Sequence, residues 1–456
     1  MYLHAPEEEA PWETGAASRW WLHHSLAALD SQLRGAGSRL ILLRGPSRDA
    51  LLKLARAAGA STLFWSRRYE PAVALRDEQV AEALRSNGVE ARSFPGALLT
   101  EPGSVRNQSG KPFQVFTAFW RSCLLRLAPA DPLPAPRRIP APAKWPKSEP
   151  LDALELLPRV DWAAGLRTAW RPGSTRILLH LQHFFGHAWH DYPTQRDRPD
   201  LIATSRLSPH LHFGEITPAQ IWHAIRCQAQ TEGMPEKRWR ESQFLTELGW
   251  REFAHHLLHH FPQSPAEPLR PEFKRFPWRR NPSGLAAWRK GRTGYPLVDA
   301  GMRELWTTGW MHNRVRMITA SFLVKDLLVP WQEGARWFWD TLVDADLAQN
   351  TLGWQWTAGC GADATPYFRV FNPVLQGEKF DPHGNYVRRW CPELARLPDR
   401  WIQRPWQAPP EVRLGAGVVL GRNYPEPIVA HSVAREIALE AFEKIRRPDR
   451  RRDAGD

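Results

Sequence analysis

The stretch from Gly309 to Trp356 gathers the residue types in this chain that could do chemistry. In GWMHNRVRMITASFLVKDLL, Asn313 and Met317 are four residues apart and Arg316 lies beside them. That spacing puts an amide, a guanidinium and a thioether on one side of a helix. Met311, Val315, Ile318 and Phe322 recur at helical intervals and would form its apolar side. The following VDADLAQNTLGWQW offers two carboxylates, Asp344 and Asp346, then Asn350, then the indoles Trp354 and Trp356. Indoles in such a setting can stack on bases or carry electrons. Spacing alone is equally compatible with a buried helix followed by a turn-rich loop.

Other clusters invite the same question. Thr204-Ser205-Arg206-Leu207-Ser208 sets three hydroxyls around one arginine, a group that can grip phosphate. A solvated loop has the same composition. Thr217-Pro218 then reads as an N-cap and first helical residue. In 238–261, a strong helical pattern striped by Trp250, Phe253, Leu257 and Phe261, Glu247, Trp250 and Arg251 converge at i, i+3 and i+4. A Glu–Arg pair at that spacing is also a common structural device. His255/His259 and His256/His260 have metal-ligand spacing, but there is no HExxH and no evident third ligand, so no metal is expected. The histidines from His180 to His190 are read in the same way.

The elements that must position these residues differ along the chain. Residues 1–128 alternate helical patterns (18–34, 47–58, 71–87) with short apolar runs (39–43, 61–65, 89–94). Such alternation predicts a doubly wound parallel sheet. Eight prolines between 129 and 150 forbid a helix or central strand and predict an extended linker at a domain boundary. From 151 to 447 the pattern is helical, and 448–456 is a short charged tail expected to be disordered.

Composition bounds the partners. The net charge of +13 suits a polyanion. Most of the 24 tryptophans are expected in the core, but a surplus of this size asks whether some stack on bases or carry electrons. Four scattered cysteines form no CxxC pair and imply a reducing compartment. The acidic opening MYLHAPEEEAPWE reads as no secretory signal, and no run of 18 apolar residues predicts a membrane span.

TGYPLVDAGMR, GWMHNRVRMITASFLVKDLL, DADLAQN with GWQW, and YFRVFNPVLQGEKFD closely resemble the flavin-binding domain of the DNA photolyase and cryptochrome family. The resemblance is closest to bacterial class I cyclobutane pyrimidine dimer photolyases and runs from residue 1 to about Lys444. It implies an N-terminal α/β antenna domain (1–128), the linker (129–150) and an all-helical FAD-binding catalytic domain (151–447). The family's usual first strand and following helix are absent here, and Tyr2–His4 resembles its second strand. That first strand is central in a doubly wound order, so its loss would leave a gap, and a misassigned or truncated start is expected.

The resemblance also implies roles. FAD would be held by Tyr192, Thr204, Ser205, Arg206, Leu207, Ser208, Phe244, Arg251, Arg316, Asp344, Ala345, Asp346 and Asn350. Asn350 would lie at the flavin N5, and Asp344 would pair with Arg316. The lesion and its DNA would be met by Arg196, Glu247, Trp250, Asn313, Arg314, Met317, Trp356 and Gln376. Trp354, Trp331 and Trp278 match an electron-transfer chain running from the flavin to solvent. Many members hold a folate or deazaflavin antenna, but Lys111 stands where some carry the acidic folate contact. The implied activity is light-driven splitting of cyclobutane pyrimidine dimers by reduced FAD, in a monomeric, cytoplasmic, DNA-associated protein. The alternative is a cryptochrome-like blue-light sensor without repair activity.

Overall fold

The computed structural model describes residues 1–363 and 368–446; the expected tail 448–456 and Tyr367 of the YFRVFNPVLQGEKFD motif lie outside them. Helices and strands alternate at the start: β1 (Tyr2–His4), α1 (Ala16–Gly35), β2 (Leu42–Arg44), α2 (Ser47–Ala58), β3 (Thr62–Ser66), α3 (Pro71–Ser86), β4 (Glu90–Phe94) and α4 (Phe116–Leu124). The longer helices that follow are α5 (Ile177–His187), α6 (Pro218–Thr231), α7 (Gln243–His260), α8 (Pro282–Arg289), α9 (Pro296–Thr308), α10 (Asn313–Ser321), α11 (Trp331–Thr341), α12 (Leu347–Ala358), α13 (Pro373–Phe380) and α14 (His431–Arg446). Among the described residues, no helix is long and apolar enough to cross a membrane.

Two compact units emerge. The first comprises Met1–Pro193, Thr204–Pro262 and Trp339–Gln349. In it β1 pairs with β2 in parallel, Tyr2 opposite Leu42, and β3 pairs with β4 in parallel, Thr62 opposite Glu90. Parallel pairing follows from the helical crossovers. Alternation sends Leu63 and Trp65 of β3 onto a core of Leu51, Ala55, Val80 and Leu84 from α2 and α3, and Leu3 of β1 joins the same core. Tyr2 packs with Leu22 and Leu26 of α1. Helices therefore lie on both faces, as a doubly wound layer requires. Yet among the described residues no pairing joins β1 to β3, and the layer stands as two two-stranded pieces. Each of the four strands therefore keeps one edge that no other described strand pairs. Phe64 and Phe94, 59% and 48% exposed, lie 5.6 Å apart ring to ring.

The proline-rich stretch contains no regular element. It is fastened along the first unit: Ile139 N–H donates to the Ala36 carbonyl at 2.8 Å and Glu149 N–H to the Leu42 carbonyl at 2.9 Å. It lies inside the first compact unit. The single helix expected over 238–261 is broken. Ser242 takes an extended conformation and accepts the Leu245 N–H, capping α7 and separating it from a short turn at Glu236–Arg240. Thr217 and Gln220 form the capping box that starts α6, with Pro218 at the first position as expected.

The second unit comprises Thr194–Ala203, Gln263–Phe338 and Asn350–Asp456 as far as described. His312 Nδ1 accepts the Arg314 N–H at 3.2 Å, so α10 begins at Asn313 and leaves Met311 ahead of it. The helix then widens into a π-turn, Phe322–Asp326, where one unbroken α-helix was expected. The π-turn buries Lys325, whose Nζ donates to the Ala358 carbonyl at 2.9 Å. Burial holds its pKa well below the usual lysine range. The turn-rich loop that spacing allowed after Asp346 is instead the helix α12. Asp346 Oδ1 accepts the Gln349 N–H at 2.9 Å and so satisfies a donor that the helix start would leave orphaned.

Candidate functional site

Arg206 dominates the hydroxyl cluster of the first unit. Its backbone is held at φ +50°, uncommon for a residue with a side chain, and its guanidinium lies 4.6 Å from the centre of the Trp170 ring. His180 Nε2 donates to the Ser205 carbonyl at 2.6 Å, and Leu207 is buried beneath the turn. The Thr204 and Ser208 hydroxyls are partly open and have no hydrogen-bond partner among the described residues. Aromatic rings gather nearby in sequence order: Tyr192 meets Phe244 edge-on at 5.4 Å, and both touch Phe184.

α7 carries the next group. Gln243 Nε2 donates to Glu247 Oε1 at 2.7 Å, which orients that carboxylate. Trp250 stacks on Phe116 of α4 with ring centres 3.7 Å apart and planes 9° apart, so one face of the indole is covered. A Cβ on Gly249 would lie 2.6 Å from the Trp120 ring, so glycine lets α7 approach α4 this closely. Arg251 is 5% exposed and donates to the Ala97 carbonyl at 2.5 Å. Asp344, Ala345 and Asp346 are all buried. His255 Nε2 lies 3.1 Å and His212 Nδ1 4.0 Å from Asp346 Oδ2. Burial works to raise the Asp346 pKa, but His255, His212 and Arg251 outweigh it and hold the carboxyl well below its usual range. His256 accepts the Phe113 N–H and donates to the Pro102 carbonyl. Among the described residues no three His, Cys, Asp or Glu side chains form a group that could hold a metal. Lys111 is exposed in a turn closed by the Asn107 side chain.

The second unit carries its own group. Asn313 is exposed at the first turn of α10, with Met317 partly open one turn on. Arg316 Nε donates to the Met311 carbonyl at 2.7 Å. Arg314 lies 4.6 Å over the Phe380 ring of α13, the helix that carries the partly open Gln376. Its Nη2 donates to Asp197 beside Arg196 at 2.6 Å. Asn350 Nδ2 donates to the Ala335 carbonyl at 3.0 Å, which leaves Oδ1 as a free acceptor among the described residues. Trp354 follows one turn later on α12, 2% exposed, between Phe338 at 5.0 Å and Trp288 at 6.2 Å. Trp331 is 1% exposed, while Trp278 is partly open beside Phe276 at 4.4 Å. Among the described residues no ring contact links Trp331 to either of the other two. Trp356 is partly open and lines a cavity with Ser321, Lys325 and Phe371.

Each unit, taken by itself, offers one feature that suits part of a flavin dinucleotide. Open hydroxyls around Arg206 suit phosphate, and an amide oxygen held by its own donor suits a ring N–H. Three residues next to this chemistry were not singled out from the sequence: Phe116, which backs Trp250; His312, which caps α10; and Asp197, which holds Arg314. No local pattern could have marked them, since each acts on a partner through the fold or through a cap that histidine rarely provides.

Residues 244–444 match the model of the FAD binding domain of DNA photolyase, and residues 1–138 match that of DNA photolyase. A deoxyribodipyrimidine photo-lyase from Agrobacterium fabrum is 48% identical over 441 residues, covering 96% of this chain and 91% of that protein. Cryptochrome-1 of Arabidopsis thaliana is 42% identical over 98% of this chain and 66% of its own length. A crystal structure of a bacterial class III photolyase from Agrobacterium tumefaciens superposes with a TM-score of 0.93 at 47% identity, covering 98% of this chain and 91% of that one. The class I assignment expected from the motifs is therefore not supported.

Proposed function

Since the chain belongs to the DNA photolyase and cryptochrome family, we propose that it is a class III-type deoxyribodipyrimidine photo-lyase that splits cyclobutane pyrimidine dimers in DNA under light. The observation that carries this reading is the complete lesion set. Glu247, Trp250, Asn313, Met317 and Trp356 are all present, and each is at least partly open to solvent.

FAD, when bound, supplies light absorption and an electron that leaves and returns, so ring splitting involves no net redox change. The chain's own residues do the rest. Thr204, Ser208 and Arg206 grip the cofactor phosphates, and Asn350 offers Oδ1 to the flavin ring. Tyr192, Ser205, Leu207, Phe244, Arg316, Asp344, Ala345 and Asp346 complete the cofactor set. The dimer must leave the duplex, at a cost of a few kcal/mol that is smaller for damaged bases. Trp250 and Trp356 offset this by stacking, at ~1–3 kcal/mol per base. Glu247 and Asn313 hydrogen-bond the pyrimidine edges. Arg196, Arg314 and Gln376 meet the DNA backbone, and the basic surface adds salt-dependent affinity. Trp354, Trp331 and Trp278, buried, buried and partly open in that order, pass electrons inward from solvent.

We keep the division into 1–128, 129–150 and 151–447 as the functional one, and place a monomer in the cytoplasm on dimer-containing DNA. The test is dimer loss from DNA mixed with the reduced, FAD-loaded protein under blue light, with a dark control. Dimer loss only in the light supports the reading. Flavin photoreduction without dimer loss would favour the light-sensor reading.

A further inference from the structure

Arg314 is already occupied in the free protein. Its Nη2 donates to Asp197 Oδ2 at 2.6 Å, its guanidinium covers Phe380, and its Nη1 lies 3.9 Å from Met317 Sδ. Its Nε is buried with no acceptor among the described residues, and so is His312 Nε2 two residues earlier. One carboxylate therefore stands beside two N–H groups that lack acceptors. The pair is within reach of solvent: the Arg314 and Asp197 side chains are 20% and 30% exposed. Burial pushes the His312 ring to about 4 against the opposing pull of Asp197, so it is a neutral donor at Nε2.

We propose that Asp197 is a specificity-determining residue: its carboxylate holds Arg314 in the free protein and must release that guanidinium before a DNA phosphate can take it. This rests on the reading that Arg314 faces DNA. Carboxylate and phosphate compete for the same planar fork, and placing both on it sets like charges together. Undamaged duplex, with no flipped base to seat, leaves the Asp197–Arg314 pair closed. A dimer seated against Asn313 and Met317, on the same helix as Arg314, brings its phosphate to the guanidinium and displaces Asp197. His312 Nε2, which feels the Asp197 charge, is the donor for the displaced carboxylate. The carboxylate thus suppresses the wrong substrate and adds no attraction to the right one.

The experiment measures equilibrium binding of FAD-loaded protein to a fluorescein-labelled duplex with one thymine dimer and to the same duplex undamaged, across a salt series. For Asp197→Asn the affinity for undamaged DNA should rise about three- to tenfold, and the slope of log K against log salt should steepen by about one phosphate. Binding to the dimer duplex should rise less, so the preference falls. Asp197→Ser should act in the same direction and guards against a folding defect specific to one variant. In an Arg314→Met background, Asp197→Asn should have no effect. An unchanged salt slope on undamaged DNA, or an equal gain in the Arg314→Met background, would overturn the proposal. A wild-type protein with no preference for the dimer duplex would instead overturn the photolyase reading.

Discussion

Replacing Trp354 by phenylalanine separates electron supply from repair, and the packing around the indole sets the size of the structural side effect. Trp354 is 2% exposed and wedged against α11, where a Cβ added to Gly334 would lie 2.0 Å from its Cη2 and 2.4 Å from its Cζ3. Phenylalanine lacks those atoms. It removes roughly 40 Å³, which at ~24 cal/mol per Å³ is about 1 kcal/mol, and the lost transfer energy of the missing ring atoms adds about 1 more. A loss of about 2 kcal/mol should lower the melting temperature and leave the flavin bound. The same geometry gives an internal check. Gly334→Ala should destabilise the wild type by ~1–3 kcal/mol through overpacking, yet be neutral or stabilising in the Trp354→Phe background, where it fills the space left by the indole. Denaturant unfolding of the four proteins measures that coupling. Functionally, Trp354→Phe should fail to photoreduce flavin under blue light with an external donor, because phenylalanine is far harder to oxidise. After dithionite reduction it should still repair dimers. Normal photoreduction would remove Trp354 from the electron chain. Lost repair in the prereduced, flavin-loaded variant would mean that the indole shapes the catalytic pocket.

Other consequences are as direct. Trp250→Ala should lower the preference for dimer-containing over undamaged DNA and leave the salt slope unchanged; an equal loss on both DNAs would contradict its pocket role. Phe116→Leu, which removes the ring stacked on Trp250, should lower the same preference by a smaller factor, as read by competition binding. Burial, reinforced by His260, holds His256 at about 4. Its unfolded form binds a proton below about 6.5 and its folded form only below about 4, so stability should be fully present above pH 6.5 and fall as pH drops toward 4. Thermal melts across that window should show the loss, and His256→Gln should flatten it. Thr217→Ala removes half of the capping box and should cost about 1 kcal/mol in denaturant unfolding, with repair unchanged.

Much of this was legible in the sequence because it is local. Periodicity placed α1, α2, α3 and the strands β2, β3 and β4, the family resemblance marked Tyr2–His4 as β1, and the Thr217-Pro218 signal marked the start of α6. Motif order carried the family and the candidate residues. What escaped is non-local or depends on a single cap. The π-turn at Phe322–Asp326 and the Asp346 cap of α12 look like continuous helix and loop in one dimension. Arg314 and Asp197 are 117 residues apart, and no pattern joins them. Arg251 pairs with the Ala97 carbonyl, a partner that its own helix cannot reveal. The motifs quoted did not separate class I from class III members.

The central claim meets its most direct test in a single turnover. Reduced, FAD-loaded protein is mixed in the dark with an oligonucleotide holding one thymine dimer, then illuminated with blue light while intact thymines are counted by chromatography. The account predicts no change in the dark, restoration in the light, and strongly reduced restoration at saturating protein for Glu247→Ala. Full flavin loading and dimer binding with no restored thymines under light would contradict it.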